Sequence, residues 1–317
     1  MNNGSGLKAR TWCIAAVLAA VLSAVAAGCG SGDEIFGTSG SGGALGGAGG
    51  PGPAGAGPNL GTASAFGSAS RAGIATTAAI SPVVNGSVAL INTLTCNAAA
   101  VPGGPGTAGL GTCAAANPAT VNSGTVFIPG NPDATTANAV FVDLLAAYNT
   151  LTTAGRPGGT LLAGAVVGTG AGACAGVLLG CQGNATLPPG LYRAASDTSI
   201  GIDGDLTLDA QGNPNAVFIF QMGSTLTTLT GSRIVLTGGA KASNVWWQVG
   251  SSATIGTNAV FNGSVLSFID LTFNGGATAC GRLLAGANPT VGSGAITLGG
   301  GSTVSVPGNA SSPASCQ

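Results

Sequence analysis

Between Asp205 and Val306 the apolar positions come in short runs that alternate with polar ones, and Gly, Asn or Ser separates the runs. This is the pattern of short, half-buried strands joined by turns. The runs also repeat. With residues 246–263 set above residues 264–281, Trp247 falls on Val265, Ala253 on Leu271, Thr254 on Thr272, Val260 on Thr278 and Gly263 on Gly281. A further rung opens at Arg282, takes an insertion at Ala287–Gly294 and resumes at Ala295. One column of the repeat reads Thr207, Thr227, Thr254, Thr272 and Thr297, at steps of 20, 27, 18 and 25 residues. A repeat near 18–20 residues with loop insertions predicts a solenoid whose coil carries about three short strands. In Leu271-Thr272-Phe273 and Ile296-Thr297-Leu298 the period of two turns the apolar flanks inward and the threonine outward. A second, less uniform outward column holds Val260, Thr278 and Thr303.

A different period runs from Asp133 to Gly155. Ala137, Val140, Leu144, Ala147 with Tyr148, and Leu151 recur at helical spacing. Asp133 is a candidate N-cap, and Gly155 with Pro157 ends the helix. Its apolar stripe is core packing and carries no chemistry.

The N-terminus reads as an address. Lys8 and Arg10 precede an apolar run from Trp12 to Ala27, the layout of an export signal over residues 1–28. The run ends in small residues directly before Cys29, resembling a bacterial lipobox with Cys29 as the lipidated residue. Ala26 stands where that motif has Leu or Val. Residues 29–58 are Gly, Ser, Ala and Pro with little to bury, a tether that places the domain at 59–317.

Composition narrows the chemistry. Only 5% of the 317 residues are charged and the net charge is −1, so there is no basic stripe for nucleic acid. There is no histidine, which removes the commonest general base and the commonest zinc ligand. The 45% of hydrophobic residues can build a core, although mostly from small side chains set among 58 glycines.

The six cysteines of the domain, Cys96, Cys113, Cys174, Cys181, Cys280 and Cys316, suggest disulfides in an exported chain. The pairing that closes Gly-rich loops and pins the tail is Cys96–Cys113, Cys174–Cys181 and Cys280–Cys316. Neither a metal nor a cofactor is expected. Asp203, Asp205 and Asp209 are the densest acids, and their spacing suits hydrogen-bonded solenoid turns better than a calcium loop. Asp270 stands alone, so no carboxylate pair forms a glycosidase-like site and the chain is not read as an enzyme.

An outward threonine has a plain reading, because Thr is a good strand former. It also has a functional one. A regular file of Thr on a rigid face offers a methyl and a hydroxyl at fixed spacing, a template able to order water.

At this point the sequence resembles the bacterial and fungal ice-binding domain family. The pieces that carry the likeness are PPGLY (Pro188–Tyr192), LTLDAQGNPNAVFIFQ (Leu206–Gln221), GSTLTT (Gly223–Thr228) and WQVGSSATIGTN (Trp247–Asn258). LGTASAFGSASRAGI (Leu60–Ile74) and DLLAAYN (Asp143–Asn149) extend it, in order, over roughly residues 59–307. The resemblance implies a mostly β protein, a right-handed, discontinuous β-helix or β-solenoid with one long α-helix packed alongside. It also implies a monomer that binds ice and no catalysis. The alternative on the same fold is an adhesin or structural surface module. Trp246 and Trp247 bear on that choice, since an outward Trp beside the threonines would favour sugar stacking. Cys-containing loops near 93–122 and 163–184 look inserted and show no evident strand pattern.

Overall fold

The computed structural model describes residues 54–77, 80–91, 98–100, 119–127, 134–162, 166–170, 186–194, 198–289 and 294–316. Short strands dominate and all of their pairings are parallel, so each strand stacks on its counterpart in the next coil. The strands make three sheets of nine, nine and seven strands.

The first sheet lies under the helix. It runs Thr160–Leu162, Gly190–Ala194, Phe218–Met222, Val245–Val249, Ser264–Ser267, Leu283–Ala285, Phe66–Ser70, Ser87–Leu90 and Val126–Phe127. Its strands are buried on both faces, as in Phe218–Met222 and Val245–Val249. One face turns into the solenoid. There Tyr192, Phe220 and Trp247 stack in successive coils, with centroids 5.2 Å and 4.0 Å apart and ring planes 17° and 7° apart. The other face packs on the helix Ala134–Leu151 through Leu191, Ile219, Trp246, Leu266 and Leu284. The helix buries the expected stripe, with Phe141 added to it. Gln221 Nε2 donates to the carbonyls of Leu151 (2.7 Å) and Arg156 (3.0 Å), satisfying acceptors that the helix end leaves open. The candidate cap Asp133 lies outside the described residues.

The second sheet is Val166–Val167, Ile200–Ile202, Leu226–Thr228, Ala253–Ile255, Leu271–Phe273, Ala295–Gly299 and Gly73–Thr77. The third begins at Thr186–Leu187 and passes through Asp205–Asp209, Arg233–Thr237, Val260–Asn262, Thr278–Cys280 and Thr303–Ser305. It ends at Val83–Asn85, Ala119–Asn122 and Ala98–Ala100. In all three sheets the chain's earliest strands lie beyond its latest ones. Phe66–Ser70 pairs with Leu283–Ala285, Gly73–Thr77 with Ala295–Gly299, and Val83–Asn85 with Thr303–Ser305. The solenoid is therefore discontinuous, with the first coil stacked on the last.

Glycine sets one corner of the coils. Gly281 (φ +156°) follows the third sheet and Gly263 (φ +112°) stands in the coil beneath it. A Cβ on Gly281 would fall 1.8 Å from the Gly263 carbonyl oxygen. No other residue fits there, which explains why glycine recurs at that column of the repeat.

Three expectations need correction. Parts of the two regions read as inserted loops are strands of the solenoid: Ala119–Asn122 and Val166–Val167, with Ala98–Ala100 at the sheet edge. Two or three residues between glycines are too few to show a period. The ordered domain also reaches further back than residue 59. Ala54 is buried, and Arg156 Nη1 donates to the carbonyls of Ala54 and Ala56. A Cβ on Gly57 would come within 2.7 Å of Trp246 Nε1. Small residues here are the means of close approach, whereas their composition suggested a free tether. The third correction concerns Thr207 and is taken up with the site.

Two buried phenols give the fold an alkaline limit. Tyr148 donates to the Val249 carbonyl (3.2 Å) and accepts from Gln248 Nε2 (2.8 Å). Burial pushes its acidity constant up, against a smaller pull from Gln248. Burial raises Tyr192 much further. The unfolded chain therefore gives up these protons first, and stability falls as pH rises through about 10. Arg282, pushed down to about 10 by burial, has the opposite sign, because the unfolded chain then holds the extra proton. The difference between wild type and Tyr192→Phe isolates one phenol. Thermal unfolding from pH 9 to 11 should show wild type losing ground to that variant.

Candidate functional site

Each sheet has one outward face, and the three differ in what covers them. The helix covers the first. The tail 306–316 stands over part of the third, where Cys316 is disulfide-bonded to Cys280 with a Cα–Cα distance of 5.2 Å. The second sheet carries no helix and no tail among the described residues, and its strands point a single file outward.

That file reads Val166, Gly201, Thr227, Thr254, Thr272, Thr297 and Ala75, residue over residue in paired coils. Thr227 is exposed and Thr254, Thr272 and Thr297 are half-buried, while their strand neighbours Leu226, Ala253, Ile255, Leu271, Phe273, Ile296 and Leu298 are in the core. Neighbouring strands set the threonines about 4.8 Å apart. Their inward neighbours fix the backbone, so the file is rigid before anything touches it.

Thr207 does not belong to it. It lies in the third sheet, between Thr186 and Val235, and Gly201 takes its place in the open sheet. The error has a physical source. Leu206-Thr207-Leu208 and Leu271-Thr272-Phe273 share one in-out-in pattern, and every coil uses that pattern on more than one sheet. The coil length from Gly201 to Thr227 also exceeds the 18–20 residue repeat.

Thr278 and Thr303 stack in the third sheet in the file Arg233, Val260, Thr278, Thr303, Val83 and Thr120. Beside that file the tail residues Pro313, Ser315 and Cys316 make the wall of a groove of about 280 Å³, whose floor includes Thr278 and Thr303. A groove suits a flat surface poorly. The file also ends in an exposed Arg233–Asp205 ion pair at 3.5 Å.

A shoulder of the open sheet was missed in the sequence. Two residues before the threonine file, Ser199, Thr225, Ser252 and Asp270 follow the same register. The hydroxyls of Ser199 and Thr225 lie 2.7 Å apart, and the Asp270 amide donates to Ser252 Oγ at 3.3 Å. The motif Thr-x-Thr, Ser-x-Thr, Asp-x-Thr at 225–227, 252–254 and 270–272 was the available signal. On the opposite shoulder Leu229 is half exposed.

Asp270 has a structural task. Its Oδ1 accepts from the amides of Gly294 and Ala295, both at 2.8 Å, and fixes the point where the inserted loop rejoins the open sheet. Charged-group hydrogen bonds of this kind are each worth about 1.5–3 kcal/mol. Asp270→Ala should lower the denaturant midpoint without changing its slope by more than experimental scatter. Asp209 Oδ1 accepts from the Gln211 amide at 2.9 Å, an Asx turn. No group of three or more His, Cys, Asp or Glu among the described residues is arranged to hold a metal.

Neither tryptophan borders the threonines. Trp247 is fully buried in the stack, opposite Phe220, and donates to the Asn262 carbonyl at 3.1 Å. Trp246 is 6% exposed on the helix side. The large exposed apolar side chains among the described residues are all aliphatic. Cys29, Cys96, Cys113, Cys174 and Cys181 lie outside the described residues.

Comparison with known proteins agrees with this architecture. The ice-binding protein of Nostoc sp. (strain HG1) is 50% identical over 104 residues, 32% of this chain and 38% of that protein. Ice-binding protein 1 of Shewanella frigidimarina (strain NCIMB 400) is 42% identical over 104 residues, 32% of this chain and 12% of that one. The chain thus spans well under half the length of these two relatives. The crystal structure of an ice binding protein from an Antarctic biological consortium is 32% identical and superposes with a TM-score of 0.56, covering 78% of this chain and 91% of that one. The model of the family described as ice-binding-like matches residues 68–302. With the match taking in both the first coil and the last, the chain belongs to the ice-binding-like family.

Proposed function

We propose that the protein binds ice through the open sheet, with Thr227, Thr254, Thr272 and Thr297 as the central contacts. The observation that carries this reading is the unbroken register of four threonines in consecutive coils on an uncovered sheet. Each side chain presents a methyl and a hydroxyl held by the strands beneath it. Water between the methyls is confined and anchored by the hydroxyls, so part of the ordering cost of binding a crystal surface is met in the fold itself. The central file carries no charge that would bind water too strongly in other orientations. Thr278 and Thr303 are the less suitable file because the tail walls them.

The same reading makes the chain exported, with its signal over residues 1–28. If Cys29 is lipidated, the domain is held at the outer membrane or cell surface; otherwise it is secreted. The ice-binding proteins it resembles give no reason to assign it a reaction. It acts as a monomer, since one flat face is a complete site.

The test is thermal hysteresis with crystal morphology, on the chain lacking residues 1–28 and made in an oxidising host. Faceted crystals and a freezing–melting gap are expected. Round, freely growing crystals around a folded protein would reject ice binding and leave the adhesin or surface-module reading.

A further inference from the structure

We propose that residues 306–316 are a strap, releasable by thiol reduction, that holds the first coil of the chain against the last. Elsewhere along the coils from 198 to 289 each coil is tied to its neighbour by a short turn. At the joint between Phe66–Asn85 and Leu283–Ser305 the partners lie more than 200 residues apart in sequence. Bringing them together closes a loop of almost the whole domain, and nothing in the backbone keeps them close once they part.

The tail crosses this joint. Val306 N donates to the Asn85 carbonyl at 3.0 Å, and the Val306 side chain fits where a Cβ on Gly86 would come within 2.6 Å of its Cγ2. Asn309 Nδ2 donates to the Ser123 carbonyl at 3.2 Å, and the hydroxyls of Ser311 and Ser123 are hydrogen-bonded. The tail then turns back. Ser312 Oγ donates to the Val306 carbonyl at 2.7 Å, and Cys316 reaches Cys280, 36 residues earlier in sequence. The segment thereby touches the coils that carry Cys280, Ser305, Asn85 and Ser123, which are consecutive in the third sheet. Beneath it a polar ladder follows the same line. Asn122 Nδ2 donates to Asn85 Oδ1 at 3.1 Å, and Asn85 Nδ2 to Ser305 Oγ at 2.9 Å.

The lock can be reached. Cys280 and Cys316 both line the groove beside Thr278, which is exposed. A small dithiol enters there as thiolate and attacks one sulfur, giving a mixed disulfide. Its second thiolate then displaces the protein sulfur. Two electrons and two protons pass to the protein, which ends with two thiols, while the dithiol ends as a cyclic disulfide. The tail is then held only by its hydrogen bonds.

Hydrogen exchange by mass spectrometry tests this on the folded protein without reference to ice. Cys280→Ser and Cys316→Ser, kept non-reducing so that other cysteines are undisturbed, should exchange about tenfold or more faster in 66–90 and 119–127, with 218–273 at the wild-type rate. Dithiothreitol added to folded wild type should produce the same local pattern, and that reading decides if either variant fails to fold. An equal rise in 218–273, or wild-type rates in 66–90, overturns the strap.

Discussion

Thr254→Tyr and Thr272→Tyr should each abolish ice shaping while leaving the unfolding midpoint within about 2 °C of wild type. Both threonines sit mid-file, with a threonine above and below, so a phenol ring at either position lifts a crystal surface off its neighbours as well. The backbone beneath is held by core residues that the substitution does not touch, and the outward position has room for the ring. Thermal hysteresis should fall at least about tenfold, because contact across a rigid face is lost as a unit and not residue by residue. Thr303→Tyr is the matched control, on the file walled by the tail, and should retain wild-type activity. The reverse result, with Thr303→Tyr silent for ice and the other two active, would move the site to the third sheet.

Trp247→Ala should be the most damaging single substitution for stability. The indole is fully buried, stacks on Phe220 at 4.0 Å, meets Phe261 at 5.4 Å and donates to the Asn262 carbonyl. Truncation leaves a cavity in the middle of a continuous stack and an acceptor without its donor. The cost is about 3–5 kcal/mol, which in a domain of this size lowers the unfolding midpoint by roughly 6–20 °C. Measured well below the new midpoint, ice shaping should survive, because the open sheet lies in a different wall of the solenoid. Trp247→Phe keeps most of the stack and should recover more than half of the loss.

Much of this was readable before any coordinates. The 18-residue shift gave the pairs Trp247–Val265, Thr254–Thr272 and Val260–Thr278 correctly, because that coil has no insertion and its spacing equals its register. The helix stripe was equally clear. Thr207 went astray because local alternation states which side of a strand is inward but not which sheet the strand has joined. Ala75 could not be placed in the threonine file from its own neighbourhood. Its partner Thr297 is more than 200 residues away, and only the stacking of the first coil on the last brings them together. Ser199, Thr225 and Ser252 were visible as a spacing of two, but their role as a shoulder needed the register of three coils.

The order of the coils bears on how the protein comes to exist. The strands from Phe66 to Asn85 are made first, yet the edges they need belong to Leu283–Ser305 and are made last. Until then an apolar segment with unpaired strand edges must be carried unfolded through export and kept from pairing with another chain. Maturation should therefore be slow, limited by a long-range closure, and sensitive to chain concentration. A solenoid whose two ends close on one another also cannot be lengthened by appending repeats at either terminus, since each new coil there would have to part the first from the last. A longer face can arise only by duplication within the coils between Gly190 and Cys280.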